Sequence, residues 1–157
     1  DRRHLAHCEA RTLLNLAANS VLRVLRGSQA DWFDEAFYQH TYRVTPTSNR
    51  MGLRLAGVAL TLPKRELVSE PVAPGTIQIT NEGLPIILGV DGQTIGGYPK
   101  IAQVIDADLD RLGQLRPGEE VQFSVVSEEE AERFGHEYRE RLQGWTKHLE
   151  RWAGENC

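Results

Sequence analysis

Little in this sequence points to an extracellular or membrane setting. Two cysteines, Cys8 and Cys157, lie near opposite ends of 157 residues. So sparse a count fits a reducing compartment better than a disulfide scaffold, and a cytoplasmic protein is expected. No apolar run approaches the roughly 20 residues of a spanning helix. The opening "DRRHLAHCEAR" lacks the apolar core of a signal peptide. It begins with Asp rather than Met, as a piece of a longer protein would. Excess positive charge is missing too. A net charge of −4 gives no global electrostatic case for nucleic acid or an anionic membrane. There is no internal repeat, no low-complexity segment and no Gly-rich Walker loop, so no motif in the chain binds ATP. His40, His136 and His148 stand alone and support no catalytic triad. His4-x-x-His7-Cys8 groups metal-ligand types, but no second pair lies nearby, and no metal site is expected.

What is present reads as one ordinary soluble domain with a real core: 40% hydrophobic and 25% charged residues. Leu5 to Ala18 is rich in helix formers and forms a lead-in over residues 1–20. Val21 to Leu25 reads as a strand, and "SQADWFDEAFYQH" as a short helix capped by Ser28, with Trp32, Phe33 and Phe37 facing a core. From Thr41 onward the chain becomes short extended runs: "YRVTP", "MGLRLAG", "GTIQIT", "PIILGV", "PKIAQVI" and "EEVQFSVV". Turns are expected at Pro63, Pro74-Gly75, Asn81-Glu82-Gly83 and Arg116-Pro117-Gly118. Strands at this spacing argue for a mainly β barrel or sandwich over residues 21–126. "DADLDRLGQL" reads as a helical turn or two started by Asp106 or Asp108. In residues 127–157, Ser127 and Glu130 have capping-box spacing. Ala131, Phe134, Tyr138, Leu142, Trp145, Leu149 and Trp152 then recur every three or four residues, giving a long amphipathic helix. Its apolar stripe docks on the barrel or meets a partner chain.

Three polar clusters could carry chemistry. In Thr47 to Gly52, Arg50 is placed either to pair bidentately with a carboxylate or phosphate, or as a surface arginine in a turn. Ser69-Glu70-Pro71 precedes Gly75 and Gln78, and Gln78 alternates with Ile77 and Ile79. It therefore points away from their face, to water or to a pocket. "DGQTIGGYPK" follows an apolar strand. Asp91 is a turn-starting carboxylate or, if it points inward, a desolvated base or clamp. Gly96-Gly97 permits positive φ and close backbone approach, and Tyr98 either packs or donates a hydrogen bond.

In this order, "TSNRMGLRLAG", "ELVSEPVAPGTIQI" and "GLPIILGVDGQTIGGYPKIAQVIDADLDRLGQLRPGEEVQF" resemble the allophanate hydrolase subunit 2 family. That family includes the C subunit of 5-oxoprolinase, KipA-like proteins and the biotin-dependent carboxyltransferase region of urea amidolyase. The likeness lies in the second half of the family domain, from about Val21 to Phe123. It implies a cyclophilin-like β-barrel and action with a KipI-like subunit 1, and with a LamB/YcsF-like subunit or a biotin carboxylase. It also implies ATP, and in one branch biotin, on partner subunits. The family motifs fall on Ser48, Asn49, Arg50, Ser69, Glu70, Gly75, Gln78, Asp91, Gln93, Thr94, Gly96, Gly97 and Tyr98. The resemblance thus makes Asp91, Arg50 and Asn49 the catalytic candidates. Ser48, Ser69, Glu70, Gln78, Gln93, Thr94, Gly96, Gly97 and Tyr98 become candidates for holding a small amide or urea. Amide N–H groups suit Asp91 as acceptor, a carbonyl suits Arg50 or Asn49, and Gly96-Gly97 could bring backbone donors to an oxyanion. The departures are a shorter first half, Ile95 where a second Thr is common, Thr80 where Pro is common, and Gly89 within the apolar run. The implied function is a subunit of an ATP-dependent amide- or urea-processing enzyme. The competing readings are a regulatory protein that titrates a kinase inhibitor, and a peptide-binding barrel.

Overall fold

The computed structural model describes residues 21–155; the expected lead-in helix, His4, His7, Cys8 and Cys157 lie outside them. Seven strands close into a barrel. They are β1 (Val21–Arg26), β2 (Tyr42–Val44), β3 (Gly52–Ala56), β5 (Thr76–Ile79), β6 (Pro85–Leu88), β8 (Lys100–Val104) and β9 (Glu120–Val125). The order around the barrel is β1-β8-β5-β6-β3-β2-β9. Every pairing is antiparallel except the closing one, where Val21 to Val24 run parallel to Gln122 to Val125. Two further strands, β4 (Glu70–Pro71) and β7 (Ile95–Gly96), form a separate two-stranded sheet. Short α1 (Leu109–Leu112) precedes β9, and α2 (Glu128–Glu155) follows it.

Period-two alternation builds the core. Leu22, Val24, Val44, Leu55, Ile77, Ile79, Ile87, Ile101, Val104, Val121 and Phe123 fill the barrel. Phe37 stacks on Phe123 with centroids 5.0 Å apart and stands 5.5 Å from the Tyr42 ring. The buried Tyr42 hydroxyl has no hydrogen-bond partner among the described residues, and burial pushes its pKa to about 12. Turn chemistry falls where expected: Gly75, Gly83 and Gly118 adopt φ of 84°, 77° and 92°. Gly96 and Gly97 do not.

Three local expectations are corrected. "SQADWFDEAFYQH" forms two 3-10 turns, Ala30–Trp32 and Glu35–Gln39, because Asp34 breaks the run. Asp34 accepts the Ala36 amide and caps the second turn, whereas Ser28 caps neither. Of the three aromatics, Phe37 is core, Phe33 packs against it, and Trp32 lies under the Arg65 guanidinium. Neither Asp106 nor Asp108 caps the helical turn by its side chain. The buried Asp108 carboxylate instead accepts from the Arg23 amide at 2.8 Å and its guanidinium at 2.6 and 3.1 Å, with Arg111 at 3.3 Å. Burial alone would raise its pKa; the Arg23 hydrogen bonds and both cations hold it below the usual value.

The capping box forms as expected: Ser127 Oγ accepts the Glu130 amide, and Glu130 accepts the Ser127 amide. The first turns of α2 dock on the 106–112 segment and its neighbours. Arg23 lies 4.0 Å over the Phe134 ring, and the Tyr138 hydroxyl donates to Asp110. Farther along, Leu149 is exposed.

Candidate functional site

The site is built on the outer wall of the barrel. Ile77 and Ile79 point inward, so the alternation turns Thr76 and Gln78 outward. All four residues of β5 are nevertheless buried. The strand is buried on both faces because other segments, including the β4–β7 sheet, lie over its outer one. Register aligns a row of side chains on that outer face. Arg54 of β3 pairs with Ile86 of β6, Ile86 with Gln78 of β5, and Gln78 with Lys100 of β8.

Two charges fasten the small sheet to the wall. Lys100 Nζ, on a residue only 7% exposed, lies 2.7 Å from Glu70 Oε2. Apart from this ion pair the buried ammonium has no hydrogen-bond acceptor among the described residues. Its hydrogen bond and charge hold the Glu70 carboxyl below its usual pKa, with a smaller contribution from Gln29. Gln29 Oε1 also accepts the Lys100 amide. Gln78, 1% exposed, donates weakly from Nε2 to the Tyr98 carbonyl at 3.4 Å. Gly96 of β7 lies so close to this amide that a Cβ there would stand 2.3 Å from Gln78 Nε2 and 3.1 Å from Gln93 Nε2. The glycine is needed for close approach to a side chain, not for positive φ.

A cavity of about 280 Å³ opens beside this layer. Amide and hydroxyl side chains dominate its wall: Asn49, Gln78, Thr80, Asn81, Gln93 and Tyr98, with Arg54 and Glu82. A second cavity of about 690 Å³ enters the barrel mouth between the Ser48–Arg50 turn and the 109–117 segment. Leu53, Ile87, Leu88, Leu109, Leu112 and Leu115 make it mostly apolar. A small polar amide is better matched by the first, where its groups can be hydrogen-bonded rather than stranded.

The structure gathers the sequence candidates around one hairpin turn but divides their settings. Asn49 and Gly52 exchange both backbone hydrogen bonds, and Asn49 Oδ1 accepts the Met51 amide. Asn49 touches both cavities. Ser48 Oγ is used to bind the Arg54 backbone, accepting at 2.9 Å and donating at 3.2 Å. Arg50 Nε meets Asp91 Oδ2 at 2.8 Å, with side-chain exposures of 80% and 49%. The inward, desolvated carboxylate that would suit a base is therefore not what Asp91 is: it is half exposed and ion-paired. Gln93 and Tyr98 line the polar cavity. Glu70 and Gly96 face each other across the β4–β7 pairing, and the Thr94 carbonyl accepts the Val72 amide. Ser69 stands 3.3 Å from where a Gly97 Cβ would lie. Gly96 is taken up in strand pairing with Glu70 rather than standing free as an oxyanion donor. Sequence reasoning missed Arg54, Lys100 and Gln29. The cue for Lys100 and Arg54 was available in the outward strand positions they share with Gln78. Among the described residues no cluster of three or more His, Cys, Asp or Glu could hold a metal. No helix among them is long and apolar enough to cross a membrane.

A closed seven-stranded barrel with a small flanking sheet and a polar cavity on its outer wall defines the fold class, a mainly β barrel domain. The chain belongs to the carboxyltransferase domain family, subdomains A and B, which matches residues 2–125. The match reaches further toward the N-terminus than the likeness read from the sequence, which begins near Val21, and stops before α2. The chain is 39% identical to the C subunit of 5-oxoprolinase from Escherichia coli (strain K12) over 128 residues, 78% of this chain and 41% of that protein. It is 40% identical to the Haemophilus influenzae protein of the same name over 116 residues, 71% of this chain and 38% of that protein. It therefore spans about two fifths of the length of these relatives. The crystal structure of Kluyveromyces lactis urea carboxylase superposes with a TM-score of 0.73 at 26% identity, covering 80% of this chain and 12% of that one.

Proposed function

We propose that this chain is the small-amide-binding part of a subunit of an ATP-dependent amide-processing enzyme of the 5-oxoprolinase type. The observation that carries the reading is Gln78: a fully buried side-chain amide turned out of the core and into a cavity lined by further amides. Such groups bind a planar amide through matched donors and acceptors, and reject ligands that leave them unpaired. The relatives at about 40% identity are named as 5-oxoprolinase subunits, which favours a lactam over urea. On this reading Gln78 and Gln93 hold the amide with Asn49 and Tyr98 at its edges, while Arg50–Asp91 forms a charged clamp at the rim. Ser48, Ser69, Glu70, Thr94, Gly96 and Gly97 shape the surrounding turns and small sheet. ATP is bound by companion subunits of KipI-like and LamB/YcsF-like type in the cytoplasm. A second reading, carboxyl transfer to urea with a biotin carboxylase and biotin on the partner, is supported by the superposition on urea carboxylase.

The test is to assemble the full-length protein with its companion subunits and measure ATP hydrolysis. Stimulation by 5-oxoproline supports the first reading. Stimulation by urea, dependent on biotin, supports the second. A stable complex that neither compound stimulates favours a non-catalytic regulatory protein and overturns both.

A further inference from the structure

The helix α2 passes the point where the chain enters the barrel. Val24 of β1 pairs with Val125 at the end of β9, and the Val126 amide donates to the Val24 carbonyl. From there α2 runs back along β1. Phe134 lies under the Arg23 guanidinium, and Glu137 and Arg141 line a cavity of about 800 Å³ together with Val21 and Ser124. Among the described residues, Tyr138 is the last of α2 with a hydrogen bond, ion pair or ring contact to the barrel. The helix nevertheless continues to Glu155. Leu142 to Glu155 is roughly 21 Å of helix projecting past the Val21 end of β1.

This projecting half calls for a cover. A helix of its length is marginal in water by itself, and Gly144 inside it weakens it further. Its stripe is apolar: Leu142 and Trp145 are half-buried and Leu149 is exposed. The chain path decides what can reach it. The lead-in joins β1 at Val21, beside Arg141 and hence at the root of the projecting half. Leu5 to Ala18 has the same number of residues as Leu142 to Glu155. At helical spacing Ala6, Ala10, Leu13, Leu14 and Ala17 share one face. The two stripes complement each other in size, with alanines on one and Leu and Trp on the other, as close packing requires. A second copy of α2 would set large side chains against large ones.

We propose that residues 5–18 form a helix that packs antiparallel on the projecting half of α2, with Asn19-Ser20 as the link to β1. Ala17 then lies beside Leu142, Leu13 beside Trp145 and Ala10 beside Leu149. The occupant of this face is the chain's own lead-in, rather than a companion subunit or a second copy. The pair clamps the entry of the chain to its exit from the barrel. It joins a stretch inside the family match, residues 2–125, to a helix outside it.

The test is made by NMR on the full 157-residue chain. Nuclear Overhauser contacts are sought from the Leu142 methyls and the Trp145 indole. A mixture of labelled and unlabelled copies separates contacts within one copy from contacts between copies. The proposal predicts contacts to the Leu13 and Ala17 methyls within one copy. Leu13→Asp should then quicken amide exchange over residues 145–152 by about tenfold or more, while the Ile77 and Ile87 amides keep their protection. Contacts between copies overturn the proposal in favour of a dimer. Absence of any contact from Leu142 and Trp145 to residues 5–18, or unchanged exchange in Leu13→Asp, overturns it outright. The wild-type contacts decide the question even where Leu13→Asp fails to fold.

Discussion

Lys100 and Glu70 join two different sheets. The lysine comes from the barrel wall, the glutamate from the two-stranded sheet lying over it, and their charged atoms are 2.7 Å apart. The partners are unequally buried, with side-chain exposures of 8% and 41%, and that asymmetry is testable. Glu70→Gln leaves an ammonium buried without its counter-charge, whereas Lys100→Met leaves a carboxylate that water can reach. Glu70→Gln should therefore lower Tm more than Lys100→Met, and Lys100→Met/Glu70→Leu should recover stability lost in either single variant. Thermal unfolding of the three variants checks the order.

Gly96→Ala should loosen the small sheet without unfolding the barrel. The added methyl would enter the space of the Gln78 and Gln93 amides. Overpacking of this kind costs about 1–3 kcal/mol. Hydrogen exchange should quicken at the Val72 amide, which bonds the Thr94 carbonyl, while the Ile77 and Ile87 amides in the barrel keep their protection.

Asp108 ties β1 to the segment on which α2 docks. Asp108→Asn removes the negative charge between Arg23 and Arg111 and should destabilise the protein by about 3–5 kcal/mol. The pH dependence has a definite sign. The folded-state pKa lies below the ordinary Asp value, so the wild-type contribution is complete above that value. It is lost as pH falls through the depressed one. Acid titration of Tm should show a steeper fall in the wild type than in Asp108→Asn.

Asp91→Asn separates a site role from a fold role. The Arg50–Asp91 pair is exposed, so its loss should change stability by at most about 0.5 kcal/mol. If the pair clamps the rim of the site, kcat/KM of the assembled enzyme should fall by about tenfold or more. Unchanged turnover would remove Asp91 and Arg50 from the site.

Much of the barrel was legible because it depends on local rules. Strict alternation in "GTIQIT" and "MGLRLAG" marked strands, Gly75, Gly83 and Gly118 marked turns, and Ser127 with Glu130 marked the start of α2. What was not legible depends on distant pairing. Lys100 looks like an ordinary surface charge in sequence, nothing local links it to the motif residue Glu70, and only the sheet over β5 and β8 buries it. Asp108 looks like a helix cap until β1 brings Arg23 against it. The direction of Gln78 followed from alternation, but whether it met water or a pocket was decided by Gly96 and Tyr98. The motifs grouped Arg50, Asp91 and Gln93 with Gln78, yet the first three prove exposed and only Gln78 is buried. A hairpin turn and a strand face can be neighbours without sharing a solvent environment.

The central claim is that the cavity on the outer wall, not the apolar mouth of the barrel, holds the amide. A crystal structure of the chain with 5-oxoproline tests it most directly. The account predicts the ligand beside Gln78 and Gln93. Ligand seated in the barrel mouth among Leu109, Leu112 and Leu115, with the outer cavity empty, would contradict it.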